Sequence, residues 1–251
     1  MAGIEINDAS VSYYLRHRGE KKQNLERGML GGAIVRRRQY LEIEALKNIT
    51  LNLKQGDRVG LIVLNGSGKS TLLKLCSGAL SVQSGSIAID GQVSAQFSLG
   101  AGVRGSLSGR RNAELKCLYM GTPQRSIADR VEEVKELSQL GGYFELPVST
   151  YSNGMRSRLV MSLIRLVKAD ILIMDEWIGA ADGTVNRKVN RLLKDLIESA
   201  SIMVLANHSE RVIRQWTNRV VWLDGGVMRA EGPTDEIYPQ YTKMLAATVT
   251  G

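Results

Sequence analysis

The sequence predicts an α/β protein built on a mostly parallel sheet and interrupted by one helical insertion. Three observations carry that expectation. Short apolar runs alternate with stretches of helical spacing. A glycine-rich turn, Asn65-Gly66-Ser67-Gly68-Lys69-Ser70-Thr71, falls between one such run and one such helix. From about Gly109 to Lys168 the strand signals stop and helical periodicity takes over.

Ile4 to Tyr14 reads as a first strand. Ile43 to Leu53 reads as a second, through the alternation of Ile49, Leu51 and Leu53. After the turn Gln55-Gly56-Asp57, the run Arg58 to Leu64 is short and apolar enough for a strand buried on both faces. A helix through Leu72, Leu73, Leu75 and Cys76 ends near Gly78, and strands follow at Ser86 to Asp90 and Val93 to Leu99. Ser108 caps a helix that stops at Gly121. Thr122-Pro123 opens another through Ile127, Val131, Val134 and Leu137, and a third covers Met155 to Lys168. Beyond them come a buried strand at Ile171 to Met174, a helix over Gly183 to Ser199 and a strand at Ile202 to Ala206. A hairpin then turns at Asp224-Gly225-Gly226, between strands at Val220 to Leu223 and Val227 to Arg229. A last helix covers about Asp235 to Ala246. No internal repeat is present, so 1–251 reads as one unit, with a basic insertion at about 15–42 and a helical subdomain at about 105–168.

The 251 residues are 43% hydrophobic and 23% charged, ordinary for a globular chain. No run reaches the roughly 18 apolar residues that a spanning helix needs, and the start lacks a secretory pattern. Cys76 and Cys117 sit in apolar helical contexts without a CxxC or Cys/His cluster, which suits reduced core thiols of a cytosolic protein. The net charge of +8 is uneven: residues 15–40 carry eight Lys/Arg against Glu20 and Glu26, a local excess of six. Such a stripe suits nucleic acid or an anionic membrane surface, or is a solvated loop. It has no interleaved aromatic ladder, which disfavours single-stranded nucleic acid.

The turn at 65–71 is the strongest chemical feature. Its small residues let backbone N–H groups and a helix N-terminus face phosphates. Lys69 would neutralise β/γ-phosphate charge and Ser70 would complete a Mg²⁺ shell. The motif's first glycine falls on Val63, whose branched side chain restricts the backbone, so weaker ATP binding is expected there. Asp175 and Glu176 end an apolar strand about a hundred residues on, where an open α/β sheet binds its ligand. Asp175 suits a metal shell and Glu176 the polarising of an attacking water. Ser152, Asn153, Gly154 and Met155 open a helix and suit either a phosphate or plain capping. His208 follows a buried strand; a lone histidine is usually structural, but at a sheet's carboxyl edge it could reach a γ-phosphate.

This order of motifs resembles the ABC ATPase family over nearly the whole chain. Asn65 to Thr71 matches its phosphate loop and Tyr151 to Met155 resembles its signature. Asp175-Glu176 resembles the Walker B pair, Asp182 the D-loop and His208 the switch histidine. The resemblance implies the ABC ATPase fold, a phosphate-loop core with an antiparallel β portion and an inserted helical subdomain. It implies ATP and Mg²⁺ as ligands, Glu176 and His208 as catalytic residues, and a head-to-tail homodimer. In that dimer Ser152, Asn153, Gly154 and Met155 face the ATP of the opposite subunit. It also implies an aromatic that stacks on adenine: Tyr13 and Tyr14 are candidates, Tyr40 a third, and Tyr14 is the assignment made here.

Tyr-Ser-x-Gly-Met, the Ser98 to Gly102 segment and Asp175-Glu-Trp-Ile resemble exporters of O-antigen, capsule or teichoic acid polymers. Partners implied are a two-copy integral-membrane permease and a lipid-linked polysaccharide, with no nucleic acid. The implied location is peripheral, at the cytoplasmic face of the inner membrane. By the same resemblance, Arg16, Arg18, Lys21, Lys22 and Arg36 to Arg38 would lie near headgroups or a lipid-pyrophosphate. Ser98, Arg111 and Ala181 depart from the family pattern. An ATP-binding regulator of weak turnover, or a soluble ABC ATPase acting on ribosomes or DNA, is the alternative.

Overall fold

The computed structural model describes residues 2–16, 33–36, 40–63, 66–96, 102–175 and 187–249. Asn65, Ser98, Glu176, Ala181, Asp182 and most of the basic stretch lie outside them.

Two sheets and a helical unit make up the architecture. The first sheet is antiparallel: β2 (Ala33–Arg36), β3 (Tyr40–Lys54), β1 (Gly3–Arg16) and β5 (Ser84–Asp90), in that spatial order. Both long strands outrun the expected limits. The ladder continues until Arg16 pairs with Tyr40, so the two ends of the basic insertion belong to the sheet. β2 was not expected. It extends the sheet beside β3, pairing Ala33 with Glu44 and Arg36 with Leu41.

The second sheet orders β10 (Val227–Pro233), β9 (Arg219–Asp224), β4 (Arg58–Val63), β8 (Ile202–Ala206), β7 (Ile171–Asp175) and β6 (Val93–Gln96). All its pairings are parallel except the β9–β10 hairpin. Its central strands are apolar on both faces because both faces are covered. Ile171 and Ile173 of β7 face the space between the two sheets, which α1 (Lys69–Cys76) fills with Leu72, Leu73 and Leu75. Leu172 and Met174 face the other way, towards Leu196 and Ile197 of α5 (Arg187–Ser199).

The helical unit comprises α2 (Gly109–Tyr119), α3 (Gln124–Ser138) and α4 (Asn153–Ser162), with short 3₁₀ turns at Gly141–Glu145, Val148–Thr150 and Leu163–Leu166. The expected cap is present: Ser108 accepts a hydrogen bond from the Arg111 N–H. The third expected helix starts at its Ser152 cap and tightens into 3₁₀ at Leu163, short of Lys168. Phe144 is fully buried at the centre of this unit; truncation to alanine would cost about 3–5 kcal/mol. α6 (Glu210–Trp216) was not expected, and α7 (Thr234–Val249) closes the described chain against β9 and β10. Both cysteines are buried and free. Burial pushes the Cys76 thiol up to about 12 and raises that of Cys117, so both are poor nucleophiles.

Candidate functional site

Three neighbouring parallel strands end at one edge of the second sheet, and Lys69, Asp175 and His208 lie at that edge. β4 leads into the glycine-rich turn, β7 ends at Asp175, and β8 lies between them. His208, exposed, follows two residues after β8. Across this edge Lys69 Nζ stands 2.9 Å from Asp175 Oδ1, the side chains only 18% and 16% exposed. That oxygen is shielded from solvent and takes no hydrogen bond of good geometry. Charge alone therefore holds the pair, with little water to screen it. A polyphosphate would compete with Asp175 for the ammonium.

The loop around Lys69 needs its glycines. Gly66 and Gly68 have φ of 81° and 96°, angles that side chains disfavour. A Cβ on Gly68 would lie 2.4 Å from the Ala45 carbonyl oxygen of β3. The backbone is fixed from a second direction, where Gly226 N–H donates to the Ser67 carbonyl at 3.0 Å. Ser67 is buried and Ser70 exposed, in the first turn of α1. A hydroxyl there and a carboxylate oxygen without a hydrogen bond are hard donors, and they fit Mg²⁺.

Val63 occupies the last position of β4 as regular strand, its side chain buried in the core between the sheets. The backbone at 63 thus has no need of glycine's freedom. Tyr13, not Tyr14, is the aromatic brought to the phosphate loop. Its hydroxyl lies 3.3 Å from Thr71 Oγ1. Tyr14 packs edge-on against Tyr40 at 5.4 Å, and its hydroxyl reaches Glu42 at 3.4 Å. A β-bulge upstream sets which of the two tyrosines lies beside Thr71. Ile4 and Ile6 face the core, but after Asp8, with φ of 48°, the core positions become Ala9 and Val11. The shift of one residue puts Tyr13, still exposed, on the same side of the strand as Ala9 and Val11.

The signature residues lie elsewhere. Ser152 Oγ accepts from the Met155 N–H at 3.3 Å and caps α4. Met155 is half-buried against the helical unit, while Ser152, Asn153 and Gly154 are exposed. No hydrogen bond or ion pair joins these three to the phosphate loop among the described residues. Asn65, Glu176 and Asp182 lie outside the described residues.

Comparison with known proteins decides the family. The family model for ABC transporters matches residues 46–179, just over half of the chain. This chain belongs to the ABC transporter family. Among relatives, it is 35% identical to the O-antigen export system ATP-binding protein RfbE of Yersinia enterocolitica, over 92% of this chain and 98% of that one. It is 36% identical to the teichoic acids export ATP-binding protein TagH of Lactococcus lactis, over 80% of this chain. There it spans only 43% of the relative's length. A solved dimeric ATP-binding cassette in a post-hydrolysis state with ADP and phosphate superposes with a TM-score of 0.66. It shares 21% identity, over 92% of this chain and 98% of that one. The ABC ATPase fold is thereby shown. No described helix is long and apolar enough to cross a membrane.

Proposed function

We propose that this ABC ATPase binds and hydrolyses Mg-ATP as a head-to-tail homodimer and drives a two-copy membrane permease that exports a lipid-linked surface polysaccharide. The observation that supports the chemistry best is the Lys69–Asp175 pair at the ends of β4 and β7. Lys69 would hold the β- and γ-phosphates and Tyr13 would stack on adenine. Ser70 and Asp175 would hold Mg²⁺, which when bound neutralises charge on the phosphate oxygens. Glu176 would orient the attacking water, with His208 near the γ-phosphate. Ser152, Asn153 and Gly154 would close on the nucleotide of the second copy, and Asp182 would lie at the contact between copies. Supporting the cargo reading are the relatives named for O-antigen and teichoic acid export. The chain would then sit at the cytoplasmic face of the inner membrane, carrying its basic stretch.

The test is a chromosomal Glu176→Gln substitution, read in two places. Purified protein should bind ATP yet lose turnover, and cells should retain lipid-linked polymer internally while the surface is depleted. Normal surface polymer with turnover abolished would remove the export reading and leave the ATPase.

A further inference from the structure

The phosphate loop is held at two points by the same C-terminal segment. At its start, Tyr241 Oη donates to the Val63 carbonyl at 3.0 Å, inside the core. Further on, Gly226 N–H donates to the Ser67 carbonyl at 3.0 Å, and the Gly226 carbonyl accepts from Lys47 N–H at 2.8 Å. Gly226 turns the β9–β10 hairpin and Tyr241 lies on α7, the helix that follows it. Neither tyrosine nor helix belongs to any nucleotide-binding motif found in the sequence.

The aim of the Tyr241 hydroxyl is fixed by packing. Its ring meets Trp222 of β9 edge-on, centroids 5.7 Å apart, and Tyr238 at 5.9 Å. Edge-to-face contacts of this kind constrain ring orientation as well as adding stability. A buried carbonyl needs a donor, and one that is held fixes the plane of its peptide, because the peptide unit is rigid. That peptide leads directly into the loop. The Tyr241 hydroxyl thus anchors the end of β4 from which the loop departs.

We propose that the hairpin and helix at residues 219–249 form a brace that presets the phosphate loop, with Tyr241 as its positioning residue. The inference rests on the nucleotide-binding reading of the loop. Tyr241 touches no substrate in this account; it acts through the Val63 carbonyl. Loosening it raises the cost of ordering the loop around phosphate, so ground-state affinity falls while the catalytic step is preserved.

The experiment compares Tyr241→Phe with Tyr238→Phe in the full chain, by calorimetric ADP binding with Mg²⁺ and by ATPase kinetics. Tyr238→Phe removes a hydroxyl from the same helix and aromatic cluster without touching Val63. The expected result is an ADP Kd and an ATP KM raised about three- to tenfold in Tyr241→Phe alone, with kcat within about twofold. The rise in melting temperature on saturation with ADP should shrink in the same variant, a difference readable even if its starting stability is lower. Equal nucleotide affinities in all three proteins, or equal losses in both variants, would overturn the proposal while leaving the nucleotide site intact. Absence of binding by the unaltered chain would overturn the nucleotide reading as well.

Discussion

The phosphate loop and the signature helix both present a helix N-terminus with small residues, but they are finished to different degrees. Around Lys69, glycine angles, the Ala45 carbonyl, Gly226 and Tyr241 fix the backbone from three sides, and a charged partner waits at 2.9 Å. At α4 the same kind of terminus faces solvent, and its serine is spent on capping its own helix. One chain therefore carries a built half-site and an exposed half-site. The difference shows that a helix terminus with small residues is not by itself a finished site; in the proposed homodimer, the other copy would supply the surface that completes the second.

Four changes would break or sharpen this contrast. Lys69→Ala should reduce turnover by about 10²–10³-fold, the size of losing a preorganised charge contact, with nucleotide binding falling in parallel by calorimetry. Gly154→Asp should act in opposite directions on the two readouts. A Cβ there meets only Ser152 Oγ, at an ordinary contact distance of 3.9 Å, and an acid in the first turn suits the helix dipole by about 0.3–1 kcal/mol. Melting temperature of the isolated chain should hold or rise slightly. Turnover should drop about tenfold, because the carboxylate would face phosphate across the dimer. Unaltered turnover would place the signature outside the reaction.

Asp175→Asn removes the carboxylate that competes with phosphate for Lys69. Metal-free ADP binding should tighten about fivefold, roughly 1 kcal/mol, while the gain on adding Mg²⁺ shrinks. The smallest effect belongs to the helical unit. Arg110 hydrogen-bonds Glu145 through two nitrogens and holds its carboxyl below the ordinary value of 4.5. A depressed carboxyl contributes stability above its unfolded value and loses it as pH falls through the folded one. Glu145 is 44% exposed, so screening leaves well under 1 kcal/mol. Amide exchange should show the helical unit loosening below about pH 4.5 ahead of the parallel sheet, and Arg110→Met should erase that order.

The parallel strands, the glycine loop and the Ser108 cap were legible because each has a local signature. Buried strands read as unbroken apolar runs, and caps and loops need particular residue types at fixed spacing. α6 was not, since in seven residues it buries only Ile213 fully and shows no period. β2 was hidden in a glycine-bearing basic stretch whose composition argues for a loop. Which of Tyr13 and Tyr14 lies beside Thr71 was left open by the sequence, because the bulge at Asp8 shifts the alternation set by Ile4 and Ile6 and has no local signature. Tyr241 left no trace either, because its partner is a carbonyl, which every residue possesses. The separation of Lys69 from Ser152 within one chain likewise follows from packing that no local pattern encodes.

The tie between Val63 and Tyr241 spans 178 positions, and a ribosome makes the chain in order. The loop motif is translated long before the hydroxyl that holds its start, and before the hairpin that holds its middle. Contacts this distant in sequence form late. A nascent chain halted after β8 would contain the whole phosphate-loop motif and both strand-end carboxylates, yet neither tie. Full affinity for nucleotide would then arrive only once β10 and α7 have been made and folded back.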